Sequence, residues 1–110
     1  GCVTMLLKYS LEIDKKAVVA NLNRIVNQIY KLLPDREEGI DWKAPLETIM
    51  VELAGMDRLL VDQHESFFPL ICKLEGLFEL DKEKDFFSYR RTIFESLNLM
   101  SSVIENVKSR

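Results

Sequence analysis

An all-α bundle is the fold class this sequence predicts, and three observations lead there. Apolar residues recur at i, i+3, i+4 and i+7 in four separate stretches. Only four Gly and three Pro occur in 110 residues, too few to punctuate many short strands. Hydrophobic residues make up 47%, enough for one packed core and too many for a disordered chain. The connections between stretches are short, which predicts antiparallel neighbours in an up-down-up-down four-helix bundle over residues 11–110. Residues 1–10 read as a loosely attached N-terminal arm, with Met5 a candidate initiator behind an appended Gly1–Thr4.

The first helix is expected to start at Asp14, whose carboxylate suits free backbone N–H groups, and to stop at Leu33, because Pro34 disfavours helix at the residue before it. Val18, Leu22, Ile25, Val26, Ile29 and Leu33 form its apolar stripe. PDREEGID then reads as a loop with Gly39 as a positive-φ residue, and Asp41 as the next N-cap. The second helix extends to Leu60 or Val61 on Leu46, Ile49, Met50, Leu53, Met56 and Leu60. Gly55 falls inside it, marking either a close helix crossing or a tolerated weak point.

DQHES reads as a connector to a third, shorter helix with Pro69 in its first turn and Phe67, Leu70, Ile71, Leu74, Leu77 and Phe78 on its core face. The fourth starts after Asp81 and runs to Val107, with Phe86, Ile93, Phe94, Leu97, Met100, Ile104 and Val107 inward. It should outreach the third helix and leave part of its stripe for another surface to cover. Cys72, within the apolar run LICKLEGLF, reads as a small buried hydrophobe, and with Cys2 in the N-terminal tail no disulfide framework is expected. A reducing cytoplasm is the expected compartment.

Charge is uneven. The net charge is -3, and residues 35–66 hold nine Asp/Glu against three Lys/Arg, so the second helix should show an acidic face. The acidic balance weighs against generic nucleic-acid binding, which depends on cations neutralising phosphates. Tyr89, Arg90 and Arg91, with Lys82 and Lys84, make the best local basic patch; SYRR could grip a carboxylate or phosphate bidentately, or its arginines could pair with nearby Glu.

His64 is the single histidine, which excludes His-cluster metal sites, and Glu37, Glu38 and Asp41 lack the spacing of a calcium loop. No metal and no cofactor is expected. Arg58 and His64 stand with five residues between them in MDRLLVDQHES, and this spacing resembles the R-x(4–6)-H signature of the HEPN family. The resemblance implies an all-helical metal-independent ribonuclease or toxin-system component, with Arg58 and His64 sharing a groove and acting on an RNA phosphate. Leu59 follows the arginine where that family often has a polar residue, and Asp57, Asp62 and Glu65 surround the motif with charge that repels RNA.

The favoured expectation is a non-catalytic protein–protein interaction module: an adaptor, chaperone-like or regulatory subunit, forming a homodimer or docking an unidentified protein. Aromatic and long apolar residues outnumber the needs of one stripe per helix, and Tyr9, Tyr30, Phe68, Phe87 and Leu99 fall off the stripes. Tyr30, Phe68, Phe87, Tyr89, Arg90 and Arg91 are the candidate interaction residues.

Overall fold

The structure, a computed structural model, describes residues 15–60 and 64–109. The N-terminal arm expected over residues 1–10 and the start of the first helix at Asp14 lie outside the described residues. Among them the fold is all-α: α1 spans Lys15–Glu37, α2 Lys43–Leu59, α3 His64–Gly76 and α4 Phe86–Lys108. Two short 3-10 turns, Leu77–Glu79 and Glu83–Asp85, carry the chain from α3 to α4. α1 packs chiefly on α4 and also on α2, while α3 packs on both α2 and α4.

α1 continues three residues past Pro34, against the expected stop at Leu33. Gly39, at φ 73°, ends it instead: Gly39 N–H donates to the Arg36 carbonyl (3.2 Å) and Ile40 N–H to the Asp35 carbonyl (2.8 Å). These two bonds make a Schellman cap, which satisfies carbonyls that a helix end would otherwise leave free. The buried stripe runs from Val18 through Leu22, Ile25 and Ile29 to Leu32, with Leu33, like Val26, on its flank and only half-buried.

Asp41 caps α2 as expected, its Oδ1 accepting from the backbone N–H of Lys43 (3.0 Å) and Ala44 (3.4 Å). Leu46, Ile49, Leu53, Met56 and Leu60 are buried, and Met50 is half-buried. Gly55 is exposed, and a Cβ built there meets nothing within 4 Å. It is a weak point in the helix, not a helix crossing.

α3 begins at His64, so His64–Ser66 form its first turn, where a connector was expected, and Pro69 falls in the second turn. Cys72 is free and exposed, correcting its assignment to the core: it lies on the outer face between buried Leu70 and Leu74. On α4 the buried face is Tyr89, Ile93, Ser96, Leu97, Met100, Val103, Ile104 and Val107. Phe94 points outward instead, and Phe86 is half-buried. Ser96 tolerates full burial because its Oγ donates to the Thr92 carbonyl at 2.8 Å.

Exposed ion pairs tie neighbouring elements: Arg24 to Glu52 (2.6 Å) between α1 and α2, and Lys73 to Glu95 (3.3 Å) between α3 and α4. Such pairs contribute about 0–1 kcal/mol each, so the apolar core carries the stability. Leu22, Ile25, Ile29, Ile49, Leu53, Leu60, Leu74, Ile93, Leu97 and Ile104, expected to be buried together, all belong to that core.

Candidate interaction site

One end of the molecule gathers the last turn of α1, the start of α2, the α3–α4 connector and the first turns of α4 around Arg36. Its Nη1 donates to the Leu80 carbonyl (2.5 Å) and its Nη2 to the Lys82 carbonyl (2.6 Å), so the planar guanidinium ties two turns of the connector to α1. The same group lies 4.3 Å from the Tyr89 ring centroid, 5.8 Å from that of Phe86 and 5.9 Å from that of Trp42. Ring quadrupoles hold a cation best where water is excluded, as it is on the Tyr89 face. Trp42 meets Tyr89 edge to face at 4.9 Å and lies over Phe78 at 6.5 Å. Sequence reasoning missed Arg36 because it was assigned to a loop; Gly39 three residues later is the signal that places it in a helical last turn.

Tyr89 is fully buried at 0% exposure, which removes it from the candidate interaction residues. Its position one helical turn before Ile93 puts it on the core stripe. Its hydroxyl is buried without a hydrogen-bond partner among the described residues, and burial pushes its pKa well above the ordinary phenol value, with Arg36 opposing the shift and Asp35 adding to it.

Outside this cluster opens a cleft of about 660 Å³ bordered by Arg36, Glu37, Trp42, Asp81, Glu83, Phe86 and Phe87. Three carboxylates stand around it. Asp81 accepts from Lys43 Nζ at 3.2 Å, and that bond holds its carboxyl below the ordinary value. Glu37 and Glu83 have no cationic partner among the described residues.

The outer face of α4 leads away from the cleft. Phe87 is 77% exposed and Phe94, two turns on, 42% exposed. Arg90 and Arg91 lie between them; Arg90 sits 5.5 Å from the Phe94 ring centroid, and neither arginine has a carboxylate partner among the described residues. The expected pairing of these arginines with nearby Glu is absent there. Spacing of i, i+3, i+4 and i+7 puts all four residues on one stripe opposite the core.

The remaining candidates lie elsewhere. Tyr30 is exposed on α1. Phe68 is exposed on α3, its ring 5.9 Å from that of His64. His64 Nδ1 bonds Asp57 Oδ1 at 2.9 Å, while Arg58 is exposed and makes no side-chain hydrogen bond among the described residues. Among the described residues no group of three or more His, Cys, Asp or Glu could hold a metal ion, and no helix is long and apolar enough to cross a membrane. No family model, no curated protein and no solved structure matches this chain.

Proposed function

We propose that this chain is a non-catalytic protein–protein interaction module, an adaptor, chaperone-like or regulatory subunit, that docks through the outer face of α4 and associates with itself. The observation that carries the reading is the exposure of Phe87 and Phe94 two turns apart, with two arginines between them that have no carboxylate partner among the described residues. Aromatic and Arg side chains are the residues that concentrate binding energy at protein interfaces, because they bury large areas and keep directional polar contacts. An exposed, free Cys72 fits a reducing compartment, and we place the chain in the cytoplasm.

The helices run up-down-up-down in this reading. Supporting it, Arg36 near the end of α1 lies on Phe86 and Tyr89 at the start of α4, while Lys15 and Val19 near the start of α1 share a cleft with Lys108 at the end of α4. The ribonuclease alternative needs His64 free to act beside Arg58. Its bond to Asp57 instead gives the imidazole a local role at the α2–α3 junction.

The test uses Phe87→Ser/Phe94→Ser, which alters exposed side chains only and should leave helicity unchanged. Size-exclusion chromatography with light scattering on wild type should show mass rising with concentration, and the double variant should lose this. A protein captured by wild type should likewise be lost with the variant as bait. Identical behaviour of the two proteins in both assays rejects the α4 face as the docking surface.

A further inference from the structure

We propose that α4 docks antiparallel on α4 of a second copy across a two-fold axis at Phe87, each copy's acidic cleft receiving the other's Arg90. The proposal rests on the reading of α4 as the docking face and adds the occupant and its register.

A two-fold interface is self-complementary, so one surface must carry both halves of every interaction. This face does. Phe87 is its most exposed large apolar side chain. Four residues before it stands Glu83, on the rim of the cleft; three residues after it stands Arg90. At about 2 Å per residue through the 3-10 turn and about 1.5 Å along α4, these lie roughly 7 Å and 4.5 Å on opposite sides of Phe87. Rotation about an axis at Phe87 therefore brings Glu83 opposite the second copy's Arg90, and does so twice. Glu95 marks the α3-facing flank of α4 by its pair with Lys73, and helical spacing puts Arg90 on the other flank, toward α1, whose Arg36 and Glu37 border the cleft.

The cleft is suited to a guanidinium. Trp42, Phe86 and Phe87 line it, and the rings of Trp42 and Phe86 already flank one guanidinium, that of Arg36. Arg36 would repel a second cation, but Glu37, Asp81 and Glu83 outnumber it, and Lys43 engages only Asp81. Glu37 and Glu83 thus remain to pair with the incoming charge. Docking releases Arg90 from an exposed contact with Phe94, a small loss beside a charge pair within a partly desolvated aromatic cleft. Lys84 comes opposite the second copy's Arg91; both are exposed and long enough to turn into solvent. A cationic neighbour for the cleft and an acidic one for Arg90 are supplied by the same second copy, which is why a second copy is the occupant.

Sedimentation equilibrium on the full chain provides the test. Glu83→Arg and Arg90→Glu alone should each weaken dimerisation by about tenfold, Phe87→Ser by at least as much, and Glu83→Arg/Arg90→Glu together should return to within about threefold of wild type. All three sites are exposed, and circular dichroism checks that each variant is folded. Weakening by both single reversals without recovery in the pair overturns the register. A dimer indifferent to all of these changes places its interface elsewhere and overturns the inference, leaving self-association standing. A monomer at high micromolar concentration that still captures another protein through Phe87 overturns the inference alone, whereas a monomer that captures nothing overturns the docking reading as well.

Discussion

Arg36 and Tyr89 stack with the guanidinium carbon 4.3 Å from the ring centroid, joining the last turn of α1 to the first turn of α4. The arginine's two bonds to the Leu80 and Lys82 carbonyls add the connector to the same joint. Arg36→Ala is expected to lower stability by about 2–3 kcal/mol, since it removes both a sheltered cation–π contact and a forked donor. Arg36→Lys should recover little of this, because an ammonium cannot serve two carbonyls and a ring face in one plane. Urea unfolding of the three proteins measures it; a loss below about 0.5 kcal/mol in the alanine variant would show the joint to be incidental.

The Tyr89 hydroxyl, unpartnered among the described residues, makes the opposite kind of prediction. Removing one buried, unsatisfied donor should be neutral or stabilising, by up to about 1–2 kcal/mol in Tyr89→Phe. The pH dependence follows from the raised pKa. Below about pH 10 the phenol is neutral in both the folded and the unfolded chain. Above it the unfolded chain ionises while the folded chain resists, so stability falls as pH climbs from there toward the folded value. Thermal melts between pH 8 and about 11 should show a steeper alkaline loss in wild type than in Tyr89→Phe. Equal slopes would contradict the assignment.

Two glycines should respond with opposite signs. Gly55 sits mid-helix with open space where a Cβ would go, so Gly55→Ala should stabilise by about 0.5–1 kcal/mol. Gly39 holds φ 73° in the Schellman cap, where an L side chain is strained, so Gly39→Ala should destabilise by about 1 kcal/mol. Melting temperatures moving in the same direction for both would refute this account of α1 and α2.

Leu53 and Leu97 lie in the shared core, and truncating either to Ala should cost about 2–5 kcal/mol by removing apolar burial and leaving a cavity. Leu53, with no exposure, should sit toward the upper part of that range and Leu97, slightly exposed, below it. Chemical denaturation checks both values and their order.

Catalysis is expected to be absent. Incubation with a mixed RNA pool should give no cleavage above that of Arg58→Ala/His64→Ala, because His64 is bonded to the Asp57 carboxylate, whose charge repels a phosphate. Cleavage that vanishes in the double variant would replace the interaction reading with the ribonuclease one.

The sequence by itself determined the helical class, four helices and ten core positions, because apolar spacing at 3.6 residues per turn is a local property that any packed neighbour will use. The Asp41 cap was legible for the same reason, since a side chain reaches N–H groups two and three residues away. Only the tertiary structure decided what spans distant segments. Pro34 speaks for a helix end at Leu33, yet the cap at Gly39 and the anchoring of Arg36, which lies 44 residues before Leu80, carry α1 onward. Tyr89 and Phe94 are both aromatic residues on one helix; which is buried depends on where α1 and Trp42 press against α4, a matter of packing rather than composition. Cys72 shows the same limit, because an apolar run around a thiol does not say which face of a half-covered helix the thiol occupies. Of the candidate site, Phe87, Arg90 and Arg91 could be named from sequence as off-stripe or cationic residues, but the cleft beside them needs four segments to converge, and no local pattern encodes that convergence.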